Sequence, residues 1–147
     1  MSTENDTGAR RDWMGLLAKT PPAALAARMP EVPEHEWLRA PEVGAAMVRG
    51  RQGGTGAPFN LGEMTVTRCT LRLKSGEIGH AVVQGRDKAH ATRAALIDAM
   101  MQTDRASAVR AEVLAPLAAE RDAARDLRRA KAAATKVDFF TLVRGAN

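Results

Sequence analysis

Residues 76–101, GEIGHAVVQGRDKAHATRAALIDAMM, read as a strand that runs through a glycine into the charged start of a helix. Ile78 to Gln84 carry the strand. Asp87 stands where a helix N-cap belongs, and an alanine-rich helix follows to about Thr103. A junction of this kind leaves free N–H groups at the helix start, which can hold an anion or the acidic edge of a partner.

Working backward, Lys74-Ser75-Gly76-Glu77 is a tight-turn signal, and the run Glu63 to Leu73 alternates. Thr65, Thr67, Cys69, Leu71 and Leu73 share one face, while Met64, Val66, Arg68 and Arg72 share the other. Residues 62–85 are therefore expected to form a hairpin. Val43 to Arg51 is a further strand, with Val43, Ala45 and Met47 on one side. HEWLRA, from His35, is a short strand that Pro41 confines to an edge or ends. Upstream, Asp12 can cap a helix bearing Trp13, Leu16 and Leu17. Thr20-Pro21-Pro22 breaks that helix, and Ala23 to Met29 forms a second one. Residues 1–9 are polar and unpatterned and read as a disordered leader, and residues 10–147 as a single domain. The expected class is α+β: an antiparallel sheet of about four strands with an N-terminal helical arm and C-terminal helices.

Working forward, Asp87 to about Thr103 carries small residues on several sides, as for a helix packed on two faces. Ala108 to Leu114 is a short helical segment, and Pro116 permits a long helix to about Lys136. That helix has a sparse apolar stripe, with Asp122–Arg125 and Asp126–Arg129 as supporting pairs. The closing KVDFFTLVRG is apolar in a chain otherwise poor in aromatics. Phe139, Phe140, Leu142 and Val143 are either a docking element for another surface or a closing strand of this chain's own sheet.

Composition narrows the function classes. The 147 residues suit one domain, which at this size buries roughly two-thirds of its unfolded surface. Aromatics are only 3% and alanine supplies much of the 45% hydrophobic fraction, so the core is expected to be thin and burial to be completed against other subunits. The net charge of +5 and pI near 10.1 raise the question of nucleic acid. The charge is spread, however: residues 1–40 sum to −1, residues 41–104 to +2 and residues 105–147 to +4, with acids throughout. With Tyr absent and the remaining rings scattered, there is no stacking platform, and nucleic acid is not an expected partner. Cys69 is the single cysteine, and His35, His80 and His90 lack metal-ligand spacing, so no metal or cofactor of its own is expected. No window is apolar enough to cross a membrane, and the N-terminus carries no export segment. A soluble, cytoplasmic protein is expected.

Four constellations are candidate sites. At the strand-to-helix junction, Arg86, Lys88 and His90 are candidate contacts for a phosphate, a phosphonate or a partner's carboxylates, although Asp87 is well placed to cap the helix instead. Gln52 to Asn60 is glycine-rich and resembles a phosphate cradle, but it lacks the lysine-serine or lysine-threonine ending of a P-loop and fails the dinucleotide fingerprint. For nucleophilic catalysis, Cys69 lies mid-strand with no histidine near in sequence, and core packing is its expected role. Glu112 with Glu120, and Asp122 with Asp126, lie on helices that read as solvated. No catalytic residue is assigned.

Three long phrases carry a resemblance: RGRQGGTGAPFNLGEMTVTRCTLRL (residues 49–73), the opening stretch 76–101, and KVDFFTLVRG (residues 136–145). Together, from about Trp13 to the C-terminus, they resemble the G subunit of the bacterial carbon-phosphorus lyase core complex, the PhnG family. The resemblance implies assembly with the H, I and J subunits. It also implies a requirement, with the H, I and L proteins, for transferring the ribose 5-triphosphate part of ATP onto methylphosphonate, displacing adenine. MgATP would be a substrate of the complex, as in an alpha-D-ribose 1-methylphosphonate 5-triphosphate synthase. This chain would be a non-catalytic subunit in organic phosphonate catabolism, inactive alone and able to pair with itself when isolated. The competing readings are a free-standing phosphate- or nucleotide-binding enzyme using Arg86, Lys88 and His90, and a basic nucleic-acid adaptor.

Overall fold

The alternation of β2 (Pro58–Leu73) sets the layers of the protein. In the computed structural model, backbone is described for residues 3–51, 56 and 58–145, and side chains for residues 7–50, 56 and 62–136. Thr67, Cys69 and Leu71 are fully buried, while Arg72 on the other face is exposed. β3 (Ile78–Gln84) returns antiparallel along β2, from Arg72 opposite Ile78 to Val66 opposite Gln84. The intervening turn closes with Gly76 N–H donating to Leu73 O at 2.9 Å. The expected hairpin is therefore present.

On the other side of β2 lies β1 (His35–Arg51), antiparallel from His35 opposite Leu73 to Arg51 opposite Pro58. Among the described residues the sheet has three strands in the order β1-β2-β3, where about four were expected. The two upstream runs are one strand. Register shifts between Trp37 and Arg39 and between Arg39 and Glu42 accommodate Pro41 as irregularities of an edge strand, where a missing N–H need not interrupt the ladder.

The helix α3 (Lys88–Met100) lies across β2 and β3. Its approach is set by small residues: Ala91, Ala94, Ala95 and Ala99 are all buried. Gly79 of β3 sits so near that a Cβ there would lie 1.9 Å from Ala95 O. Leu96 and Ile97, also buried, supply most of the helix's apolar bulk, at about 1.5–3 kcal/mol for each full burial.

The N-terminal helices are not an arm. Helix α1 (Thr3–Lys19) takes in most of the segment read as a leader, and it ends where Thr20 Oγ1 donates back to Leu16 O just before Pro21. Helix α2 (Pro22–Arg28) starts on its own proline, whose fixed φ suits a first helical position. Leu16, Leu17, Leu25 and Met29 join the core cluster formed by α3 and the sheet. A core short of aromatics recruits these leucines from the far end of the chain.

After α3 the chain turns through α4 (Ala106–Val109) and a π-helical stretch, Arg110–Leu114, into α5 (Ala115–Gly145). Pro116 has no N–H and crowds the carbonyl four residues before it. The ladder accommodates it by widening by one residue, with Ala115 N–H reaching Arg110 O. Val109, Val113, Leu114 and Leu117 are buried. Every described side chain from Asp122 to Lys136 is exposed. The backbone of α5 stays helical through Gly145, so the closing-strand reading of residues 137–143 is overturned. The side chains of Phe139, Phe140, Leu142 and Val143 lie outside the described residues.

Candidate functional site

At the strand-to-helix junction, Gly85 takes φ +92°, a conformation that L side chains rarely adopt. Its N–H donates to Thr65 O at 2.9 Å and its carbonyl accepts from Thr67 Oγ1 at 2.8 Å. Asp87 then caps α3, its Oδ1 accepting from His90 N–H at 3.0 Å. The expected cap is present, and it takes up one of the donors an anion would have used.

The three candidate side chains do not converge. His90 turns into the core, where Nε2 donates to Leu17 O at 2.8 Å, and its exposure is 2%. Its Nδ1 is buried without a hydrogen-bond partner among the described residues. Arg86 and Lys88 remain exposed and hold no partner among the described residues. Sequence spacing grouped three cations, but the helix turn sends the third to the opposite side of the backbone.

The other reactive groups are each committed. Cys69 is buried and donates to Ala91 O at 3.3 Å, and burial pushes its thiol up to about 11. His80 pairs through Nδ1 with Thr70 Oγ1 at 2.8 Å, as a satisfied strand residue. Glu112, Glu120, Asp122 and Asp126 are exposed, with Glu120 held by Arg28 at 3.0 Å. Asp126 meets Arg129 at 4.0 Å as expected, while Asp122 pairs with Arg121 at 3.3 Å rather than with Arg125. Most of the glycine-rich stretch 52–60 lies outside the described residues. Among those described, no three His, Cys, Asp or Glu residues form a group able to hold a metal ion.

Sequence reading missed a buried carboxylate with four donors around it. Asp98, fully buried in α3, accepts from Arg10 Nε at 3.0 Å and Nη2 at 2.8 Å, from Trp13 Nε1 at 2.9 Å, and from His80 N–H at 2.9 Å. The hydrogen bonds to Asp98 raise the pKa of the Arg10 guanidinium above its ordinary value. Four donors surround the carboxylate, which latches α1, α3 and β3 together. The available signal was an isolated acid inside AALIDAMM, since a charge among apolar neighbours needs a buried partner. Two further ties close the same region: Arg93 Nε donates to Met29 O at 3.0 Å, and Gln102 Nε2 donates to Ile78 O at 2.8 Å.

The chain is 46% identical over 149 aligned residues, 97% of its own length and 95% of the relative's, to a Rhizobium meliloti (strain 1021) protein named alpha-D-ribose 1-methylphosphonate 5-triphosphate synthase subunit PhnG. Residues 8–145 match the family described as phosphonate metabolism protein PhnG, and the chain therefore belongs to that family.

Proposed function

We propose that this chain is a subunit of an alpha-D-ribose 1-methylphosphonate 5-triphosphate synthase and that it contributes structure rather than reacting groups. The reading is carried by the near full-length match to the Rhizobium meliloti synthase subunit. In that reaction the bond from ribose C1 to adenine breaks and a bond from C1 to a phosphonate oxygen forms. The complex uses MgATP and methylphosphonate, and this chain works with the H, I and L proteins and assembles with the H, I and J subunits in the cytoplasm.

The non-catalytic role is supported by the commitments already described. Cys69 is held protonated in the core, His90 is bound to a backbone carbonyl, and Asp98 is surrounded by four donors. Arg86 and Lys88 remain available to partner carboxylates. Among the described residues, no helix is long and apolar enough to cross a membrane.

Reconstitution tests the whole reading. Adenine release from MgATP with methylphosphonate is expected when this chain is combined with the H, I and L proteins. It is expected to be lost when this chain is omitted, and to be absent with this chain alone. Adenine release by the isolated chain overturns the non-catalytic role, and undiminished release without the chain overturns the subunit role.

A further inference from the structure

We propose that the recess between the α1–α2 corner and the early turns of α5 receives an apolar, acidic segment of a partner subunit. The proposal rests on the subunit reading above and gives it a surface. The recess encloses about 300 Å³, and Leu16, Pro21, Ala24 and Leu117 form its floor. Leu16 and Leu117 also belong to the core cluster, so the floor is rigid rather than a loose surface patch.

The rim is cationic and in large part unspent. Lys19, Arg125 and Arg128 line it and form no ion pair among the described residues. The one acid on the rim, Glu120, is already held by Arg28 at 3.0 Å, and Arg121 is held by Asp122 at 3.3 Å. An occupant therefore meets an apolar floor bordered by cations that form no ion pair among the described residues. Carboxylates around an apolar side chain satisfy both parts.

Size and setting favour a polypeptide over a nucleotide or nucleic acid. The volume is at the bottom of the range for small-molecule sites, about 300–1,000 Å³, and suits one or two apolar side chains as anchors. The recess opens beside the bare flank of α5, where residues 119–136 carry six cations against three acids and the described side chains beyond Arg121 are exposed. An apolar floor ringed by arginine is the anatomy of an interface hot spot. Phosphate recognition makes no use of the apolar floor, and base stacking needs aromatic rings that this recess lacks.

The test uses this chain, tagged and co-expressed with its H, I and J partner subunits. Two variants are compared with the wild type: Arg125→Glu with Arg128→Glu, which reverses the rim, and Ala124→Trp, which fills the recess. Both sites are exposed in this chain, so the isolated variants are expected to keep the wild-type Tm while partner recovery falls about tenfold or more. A photo-crosslinking residue at position 124 of the otherwise wild-type chain is expected to capture an acidic partner segment. Converting that segment's acids to lysine is expected to restore assembly of the rim-reversed variant. If the wild type assembles and both variants assemble equally well, the recess proposal falls while the subunit reading stands. If the wild type recovers no partner, the subunit reading itself fails. Should either variant misfold, the crosslink decides: capture of nucleic acid, or of no partner segment in an assembled complex, overturns the proposal.

Discussion

Leu117 and Leu127 lie ten residues apart on the same helix, yet the first is 2% exposed and the second 58%. The sheet repeats the contrast. Between Val66 and Arg72, β2 is flanked by both neighbours, and Cys69 and Leu71 on its inner face are fully buried. Beyond Thr65 it pairs with β1 alone, and Met47 of that distal hairpin is 51% exposed. The backbone pleat continues from one part to the other, but pairing with β3 stops at Val66, and the face that carries Cys69 and Leu71 in the covered part carries Thr65 and Glu63 beyond it. Secondary structure in this chain thus runs further than its core, and the extra length of β2 and α5 is where a thin, alanine-rich protein has surface left to share.

If that division is right, the largest effects belong to the covered half. Gly79→Ala places a Cβ against the Ala95 carbonyl, a backbone atom that no rotamer change can move. The expected cost exceeds about 3 kcal/mol, beyond ordinary overpacking, and would remove much of the stability of a domain of this size. Denaturant unfolding measures it, and a near-wild-type midpoint would mean that α3 is free to ride away from β3.

Next comes the latch. Asp98→Ala leaves Trp13 N–H and the His80 amide unsatisfied beside a guanidinium that is partly solvated, for an expected loss of about 3 kcal/mol. Arg10→Ala is expected to cost about as much, because it leaves the fully buried Asp98 carboxylate without a counter-charge and with only two neutral donors. Hydrogen exchange is expected to show α1 releasing in Asp98→Ala before α3 does. Simultaneous release would make the helices one cooperative unit.

How much of this was legible depends on how far the deciding contact lies along the chain. The hairpin of residues 62–85 and the Asp87 cap were readable, because alternation and capping act within a few residues. The docking of α1 and α2 was not, since it turns on Asp98 meeting Arg10 and Trp13 across more than eighty residues. Pro41 left the HEWLRA run either confined to an edge or ended there, and only the pairing with β2 reveals one irregular edge strand running through it. At the C-terminus, Val137 to Val143 are rich in β-branched and aromatic residues, which allowed a strand, yet the helix begun in the alanines continues through them to Gly145. At the candidate site, spacing placed Arg86, Lys88 and His90 together, but could not tell that the Leu17 carbonyl waits on the inner side for His90.

Cys69 reports on the covered half in a gentler way. Its thiol is raised from 9.0 to about 11 by burial, so the folded state holds the proton more tightly than the unfolded chain. The associated stability is complete below about pH 9 and is lost as pH rises through 11, because unfolding then releases a proton. A Cys69→Ala variant is expected to lack that part of the alkaline decline. In the native protein, alkylation of Cys69 is expected to follow the rate of core opening. Fast alkylation at neutral pH would place this half of the sheet in the same class as the projecting half.

The smallest effects test the other side of the contrast. Met47→Ala on the hairpin and Leu127→Ala on α5 remove exposed side chains, so each is expected to change the stability of the isolated chain by no more than about 0.5 kcal/mol. The same pair becomes informative once partner subunits are present. A side chain that contributes nothing to the monomer but lowers the Tm of the assembled complex when truncated must be buried by another polypeptide, because burial is the only source of that stabilisation available to an aliphatic group. Equal silence in monomer and complex would leave the projecting elements uncovered in the assembly, and their length would then need an explanation other than contact.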